Sequence, residues 1–182
     1  EAFETLTTKC IKAYGKDSIE MLRCDILEAK IARDRKKFAR SEFLYSETEK
    51  KISSLYTKQS LLYIQWKMDI GKCFLMQNKA ALAEQTLQDA MDLMKAINMP
   101  VKSPWMLVAK CDFAFVKFCG SKPNDLKESM QLLKDQYLPE SINLYGNQHQ
   151  YSYHVKGRIA LLMNAQTKGS GRKQLFEVLK FF

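Results

Sequence analysis

Glycine and proline are scarce in this chain, 7 and 4 among 182 residues. A fold of many short strands needs frequent tight turns, so this scarcity argues for long helices. Histidine is scarcer still, with only His149 and His154. They stand five apart, off the i, i+4 face match, with no cysteine or carboxylate at ligand spacing, so the sequence offers no metal site. The cysteines Cys10, Cys24, Cys73, Cys111 and Cys119 are odd in number, scattered, and form no CxxC pair. That excludes a zinc cluster or a disulfide framework; the thiols read as buried or half-buried side chains in a reducing compartment. No apolar run approaches the roughly 20 residues that a membrane-spanning helix requires. GxxxxGK[ST], GxSxG and HExxH are all missing, and Gly169-Ser170-Gly171-Arg172-Lys173 lacks a preceding strand and reads as a loop. We therefore assign no catalytic, cofactor-binding or metal-binding residue and expect a protein that is not an enzyme.

Hydrophobic residues make up 46% of the chain, enough for a packed core. The formal net charge is +9, from 29 Lys+Arg against 20 Asp+Glu. Such an excess attracts acidic peptides, nucleic acid or an anionic surface, and a solvated basic face accounts for it equally well. The densest basic cluster, Arg33 to Lys37 with Arg40, reads first as a solvated turn between helices and second as a phosphate-contact or nuclear-localisation patch. The opening Glu1-Ala2-Phe3 has neither Met nor a signal peptide, and we expect a piece of a longer intracellular protein, cytoplasmic or nuclear.

Internal repetition organises the chain. Ala13-Tyr14-Gly15-Lys16-Asp17-Ser18 parallels Leu55-Tyr56-Thr57-Lys58-Gln59-Ser60, and Lys37-Phe38-Ala39-Arg40-Ser41-Glu42 parallels Lys79-Ala80-Ala81-Leu82-Ala83-Glu84, both at an offset of 42. Leu144-Tyr145-Gly146 opens another copy, and Gly120-Ser121-Lys122-Pro123-Asn124-Asp125 is a loop able to absorb extra residues. Ser103-Pro104 is a cap followed by a first-turn proline. These signals predict one domain over 1–182, with units at about 14–55, 56–97, 98–144 and 145–182. Residues 1–13 would end an earlier helix. The remaining expected helices are 18–34, 37–54, 60–77, 79–97, 104–119, 124–143 and 150–167, with a last one over 172–182. Ile64, Ile70, Phe74 and Leu75 form one helical stripe and Leu82, Leu87, Ala90, Met91 and Met94 another; stacked copies would cover both.

These units resemble tetratricopeptide repeats, in particular the 42-residue kind of kinesin light chains. Gly71, Phe74, Asn78-Lys79-Ala80, Ala83-Glu84, Leu87 and Ala90 match the helix-pair pattern in the second unit. Ala29, Lys37-Phe38 and Ser41-Glu42 match it in the first, and Ala160 and Met163 in the fourth. Leu144-Tyr145-Gly146-Asn147-Gln148-His149-Gln150 is similar to the family's Tyr-Gly-x-x-His-Pro linker, which implies a structural linker role for His149. The chain departs from the pattern early in each first helix, where Asp25, Lys67 and Lys156 stand for a large apolar residue. In the third unit Ala114 falls one residue from the small position that strict 42-residue spacing gives.

The resemblance implies an all-α, right-handed superhelix of antiparallel helix pairs, a TPR-like α-solenoid, whose first helices line a concave groove. The implied function is a protein-interaction scaffold or adaptor. Its groove residues would be Arg23, Ile26, Lys30 and Arg33, then Gln65, Met68, Lys72 and Leu75, then Phe115 and Phe118. That groove would run from basic to apolar and suit a peptide or partner helix carrying acidic residues and one large apolar anchor. A core role for Phe113, Phe115 and Phe118 competes with this reading. Nucleic-acid binding through the basic surface is the second choice, and a structural segment of a larger solenoid the third. The apolar ending Leu175-Phe176-Glu177-Val178-Leu179-Lys180-Phe181-Phe182 would be covered by a further helix or by a second copy of the chain.

Overall fold

A computed structural model of the chain describes residues 2–119 and 123–167, and among them the regular structure is helical. In chain order the helices are α1 (Ala2–Tyr14), α2 (Ile19–Asp34), α3 (Phe38–Leu55), α4 (Leu61–Met76), α5 (Ala80–Ala96) and α6 (Pro104–Cys119). Then follow α7 (Pro123–Gln131), a π-helical turn at Leu132–Tyr137, α8 (Leu138–Tyr145) and α9 (Gln150–Thr167). Of the expected loop over 120–125, Pro123, Asn124 and Asp125 instead open α7, the proline suiting a first helical turn, while residues 120–122, the glycine-rich stretch from Gly169 and the apolar ending lie outside the described residues. Two compact units form, residues 1–97 and 98–182, and the boundary falls between the second and third expected repeats.

Local chemistry sets the helix ends. Ser18, Ser60 and Ser103 each accept a hydrogen bond at Oγ from the amide three residues on, at 3.1 Å from Met21, 3.2 Å from Tyr63 and 3.2 Å from Met106. Each thereby satisfies one of the free donors at a helix start. The equivalent position before α9 is His149, whose Nδ1 accepts from the Tyr151 amide at 3.3 Å. Its ring packs against Tyr145 and Tyr151, with centroids 5.3 and 4.9 Å away.

Helices α2 and α4 end alike. Lys36 and Asn78, 42 residues apart, sit in the left-handed region with φ of 59° and 60°. Around them Lys37 N donates to Ala32 O and Lys36 N to Arg33 O, while Lys79 N donates to Phe74 O and Asn78 N to Leu75 O. This is a Schellman closure, and it reverses the chain into α3 and α5.

A small residue follows each cap by eleven positions: Ala29, Gly71, Ala114 and Ala160, all buried. The match is kept in the third repeat because Ser103 is itself displaced by one residue, so the extra residue lies in the loop before it. Helices α2 with α3 and α4 with α5 pack closely as antiparallel pairs. Ser41 Oγ, fully buried, donates to the Ala29 carbonyl at 2.9 Å, a contact possible only if the two backbones nearly touch. A Cβ placed on Gly71 would stand 3.1 Å from Leu87 Cγ.

The apolar position early in the first helices falls one residue before the expected one. Cys24, Trp66, Ala109 and Val155 are buried there. Asp25 and Lys67 turn outward to Lys51 (2.7 Å) and Asp89 (2.9 Å).

In unit 1 the core gathers Leu22, Ile26, Tyr45, Ile52, Tyr63 and Trp66. Trp66 stacks on Tyr63 at 5.2 Å and donates its Nε1–H to the Tyr45 carbonyl at 2.8 Å, so its polar edge is satisfied inside the core. In unit 2 Leu107, Cys111, Leu133, Val155, Ile159 and Leu162 form the core. The expected helix 124–143 is present but interrupted. Pro139 has no amide to donate and its ring crowds the carbonyl one turn back, so the helix widens upstream, where Leu138 N donates to Leu133 O, five residues away.

Candidate functional site

Counting from the caps locates the face that the first helices share. Positions five, nine and twelve residues after the cap lie on one side of a helix. On α2 these are Arg23, Leu27 and Lys30; on α4 they are Gln65, Asp69 and Lys72. The next turn adds Met76 on α4. Lys30 Nζ lies 3.7 Å from Asp69 Oδ2, so the two stripes adjoin within unit 1. Asp69 is buried at 6% exposure, and Arg33 closes its other side with Nη1 4.0 Å from Oδ1 while donating its Nε–H to Asp34 at 2.9 Å. A buried carboxylate is held by two cations, as its desolvation demands. Above it the face is open: Arg23 is exposed, Leu27 is 39% and Met76 45% exposed, and Lys30 and Lys72 are half-buried.

The arrangement explains part of the expected groove and corrects the rest. Arg23, Lys30 and Lys72 occupy the shared face. Ile26 and Met68 do not: at 1% and 5% exposure they point into unit 1, as does Leu75, and offer a ligand no surface. One residue along a helix turns by about 100°, so the exposed apolar places go to Leu27 and Met76 instead. Arg33 is buried and serves Asp69 and Asp34.

Behind this face Tyr45 is fully buried, and its hydroxyl finds no hydrogen-bond partner in the protein. Burial, reinforced by the Asp69 charge, drives that phenol well above its ordinary range.

Unit 2 carries an analogous face on α6 and α9. Asp112 holds the Asp69 position and is fully buried. Arg158 donates to its Oδ1 through Nε at 2.9 Å and Nη2 at 2.6 Å, and His154 Nε2 lies 3.1 Å from the same oxygen. The Arg158 guanidinium also covers the Phe115 ring, 4.6 Å from its centroid. Phe115 is therefore half-buried beneath a cation, which favours the packing role over an open apolar anchor. The side chain of Phe118 lies outside the described residues.

The two acidic positions, Asp69 and Asp112, were not among the expected site residues. Their signal is the constant nine-residue distance from Ser60 and Ser103, visible once the caps are fixed. Among the described residues no group of three His, Cys, Asp or Glu side chains could hold a metal ion, and no helix is long and apolar enough to cross a membrane.

No protein-family model and no curated protein matches the sequence. Solved structures do match the fold. Two crystal structures of a Podosopora anserina protein, described as a kinesin light chain with nearly identical TPR-like repeats, align over 98% of this chain at 11% identity. One, a point variant, gives a TM-score of 0.61 over 82% of its own length, and the other 0.60 over 83%. Together with the equal cap-to-small-residue spacing, this establishes a TPR-like helical repeat fold.

Proposed function

We propose that this TPR-like chain is a non-catalytic interaction scaffold that takes an acidic peptide or partner helix on the α2–α4 face. The observation that carries the reading is the alternation on that face. Exposed Leu27 and Met76 stand among Arg23, Lys30 and Lys72, while of the two carboxylates on the face Asp69 is buried and held by Lys30 and Arg33, and Asp34, at its end, is paired with Arg33. The face thus offers cations to steer an acidic segment and apolar side chains to hold it once docked. A role in a cytoplasmic or nuclear assembly is the fuller form of this reading.

The test is a binding titration with a panel of labelled peptides, each with two or three acidic residues around one large apolar residue. Binding by the wild type, loss of at least tenfold in the Arg23→Glu/Lys30→Glu/Lys72→Glu variant, and a comparable loss in Leu27→Asp support the face. Equal binding by all three proteins rejects it. Binding of single-stranded nucleic acid instead, with log K falling steeply against log salt, would move the assignment to phosphate recognition.

A further inference from the structure

Cys10 on α1 and Cys24 on α2 face each other, with sulfur atoms 3.5 Å apart. The Cys24 thiol donates to the Cys10 sulfur; Cys24 is buried, and Cys10 is half-buried and so open to small solutes. The other described thiols are placed differently. Cys73 and Cys111 are fully buried, and Cys73 Sγ lies 3.5 Å from Ser41 Oγ and 3.5 Å from Gln77 Nε2 rather than against a second sulfur. Closing the Cys10–Cys24 gap to the bond length of about 2.05 Å asks for a movement of about 1.5 Å. Helix α1 can supply it, because its main packing partner is α2. A helix of 13 residues resting on one neighbour belongs to the least stable part of a fold.

We propose that Cys10 and Cys24 form an oxidation site, closed to a disulfide by a hydroperoxide and reopened by dithiols. The Cys10 sulfur, as thiolate, attacks the peroxide: an S–O bond forms, the O–O bond breaks, and the alkoxide or hydroxide leaves with a proton as alcohol or water. The Cys24 sulfur then attacks the Cys10 sulfur of the sulfenic acid. The S–S bond forms, the S–O bond breaks, and hydroxide departs as water with the Cys24 proton. Two thiols lose two electrons in all, and one peroxide gains them. Cys10 is half-buried and Cys24 buried, so the peroxide reaches Cys10 first and Cys24 is left to resolve; burial and the hydrogen bond to Cys10, which push the Cys24 thiol up to about 11, act in the same direction by disfavouring it as first attacker. The bond would lock α1 onto α2. It would thereby fix one wall of the cleft that Phe3, Leu6 and Thr7 form with Ile31, Ala32 and Arg35.

The experiment treats the whole chain with an equimolar hydrogen peroxide pulse, followed by non-reducing peptide mapping. A mass loss of about 2 Da, a Cys10–Cys24 linked peptide that dithiothreitol abolishes, and slower hydrogen exchange over α1 support the proposal. Cys24→Ser should trap a sulfenic acid at Cys10 that reacts with dimedone, and Cys10→Ser should give neither product. Sulfinic acid at Cys10 without a linked peptide, links dominated by other cysteines or by a second chain, or no dimedone labelling in Cys24→Ser would each overturn it.

Discussion

Gly71 and Leu87 meet with no room for a methyl group between them: a Cβ on Gly71 would lie 3.1 Å from Leu87 Cγ and 3.2 Å from Cδ2. Leu87 is itself fully buried, so any shift it makes must be passed on to its neighbours. Alanine at this position would gain about 1 kcal/mol of helix propensity and lose about 1–3 kcal/mol to overpacking. Gly71→Ala is therefore expected to lower stability by about 1 kcal/mol, read as the urea midpoint. A variant more stable than wild type would show that the α4–α5 crossing is looser than described.

Lys36 offers the reverse case. It holds a left-handed backbone that costs a residue with a Cβ about 1 kcal/mol, and its side chain is exposed. Lys36→Gly should raise stability by roughly that amount, with the melting temperature as readout. Asn78, at the equivalent position with φ of 60°, suits the conformation better, and Asn78→Ala should lower stability.

Asp112 is expected to be the costliest polar site to remove. It is fully buried between Arg158 and His154, and truncation would leave the Arg158 charge, only 17% exposed, without its carboxylate. Asp112→Ala should cost about 3 kcal/mol, at the low end for a broken buried pair because Arg158 keeps some access to water. Asp112→Asn, which keeps an acceptor, should cost less. Equal losses for the two would show that shape, not charge, is what matters there.

Stability should be flat near neutrality and fall at both ends of the pH scale. On the alkaline side, burial raises Cys24 from 9.0 to about 11 and Tyr63 from 10.0 to about 12, the latter helped by Glu49. Groups raised in the folded state stabilise it fully below their unfolded values, and the contribution is lost as pH rises through the folded ones. The decline should therefore begin near pH 9 and continue to about 12, measured under reducing conditions. On the acid side, hydrogen bonds from Lys79 and Lys67 lower Glu42 and Asp89 below their ordinary 4.5 and 3.8. Their contribution is complete above those values and is lost as pH falls through the depressed ones. Glu42→Gln should flatten the start of the acid limb in equilibrium unfolding; an unchanged limb would remove the Lys79–Glu42 pair from the account.

Much of this architecture was legible in the sequence because helix ends are written in local chemistry. Ser18, Ser60 and Ser103 announce starts, Asn78 announces a stop, and the expected helices agree with the observed ones to within a residue or two over most of the described chain. The shared face was harder to read. Ile26 and Leu27 are both apolar, and only the neighbours decide which is buried; Ile26 falls in the row of Leu22 and Ala29, and Leu27 in the row of Arg23 and Lys30. Nothing local in the sequence marked Asp69 and Asp112, because the cations that permit their burial come from other helices. The expected helix 124–143 ran straight through Pro139, and nothing in the apolar pattern showed that the missing amide would open a wide turn before it.

That wide turn has a consequence for how the chain tolerates changes in length. A π turn accommodates one residue more than an α turn spans, so the surplus at Leu132–Tyr137 is already absorbed locally. Deleting one exposed residue there, such as Asp135, should tighten the turn to α geometry and leave Leu133 and Ser141 facing inward. The same excision in the middle of α5 would rotate everything downstream by about 100° and expose its buried side. Circular dichroism and melting of the two deletions should separate a tolerant position from a forbidden one.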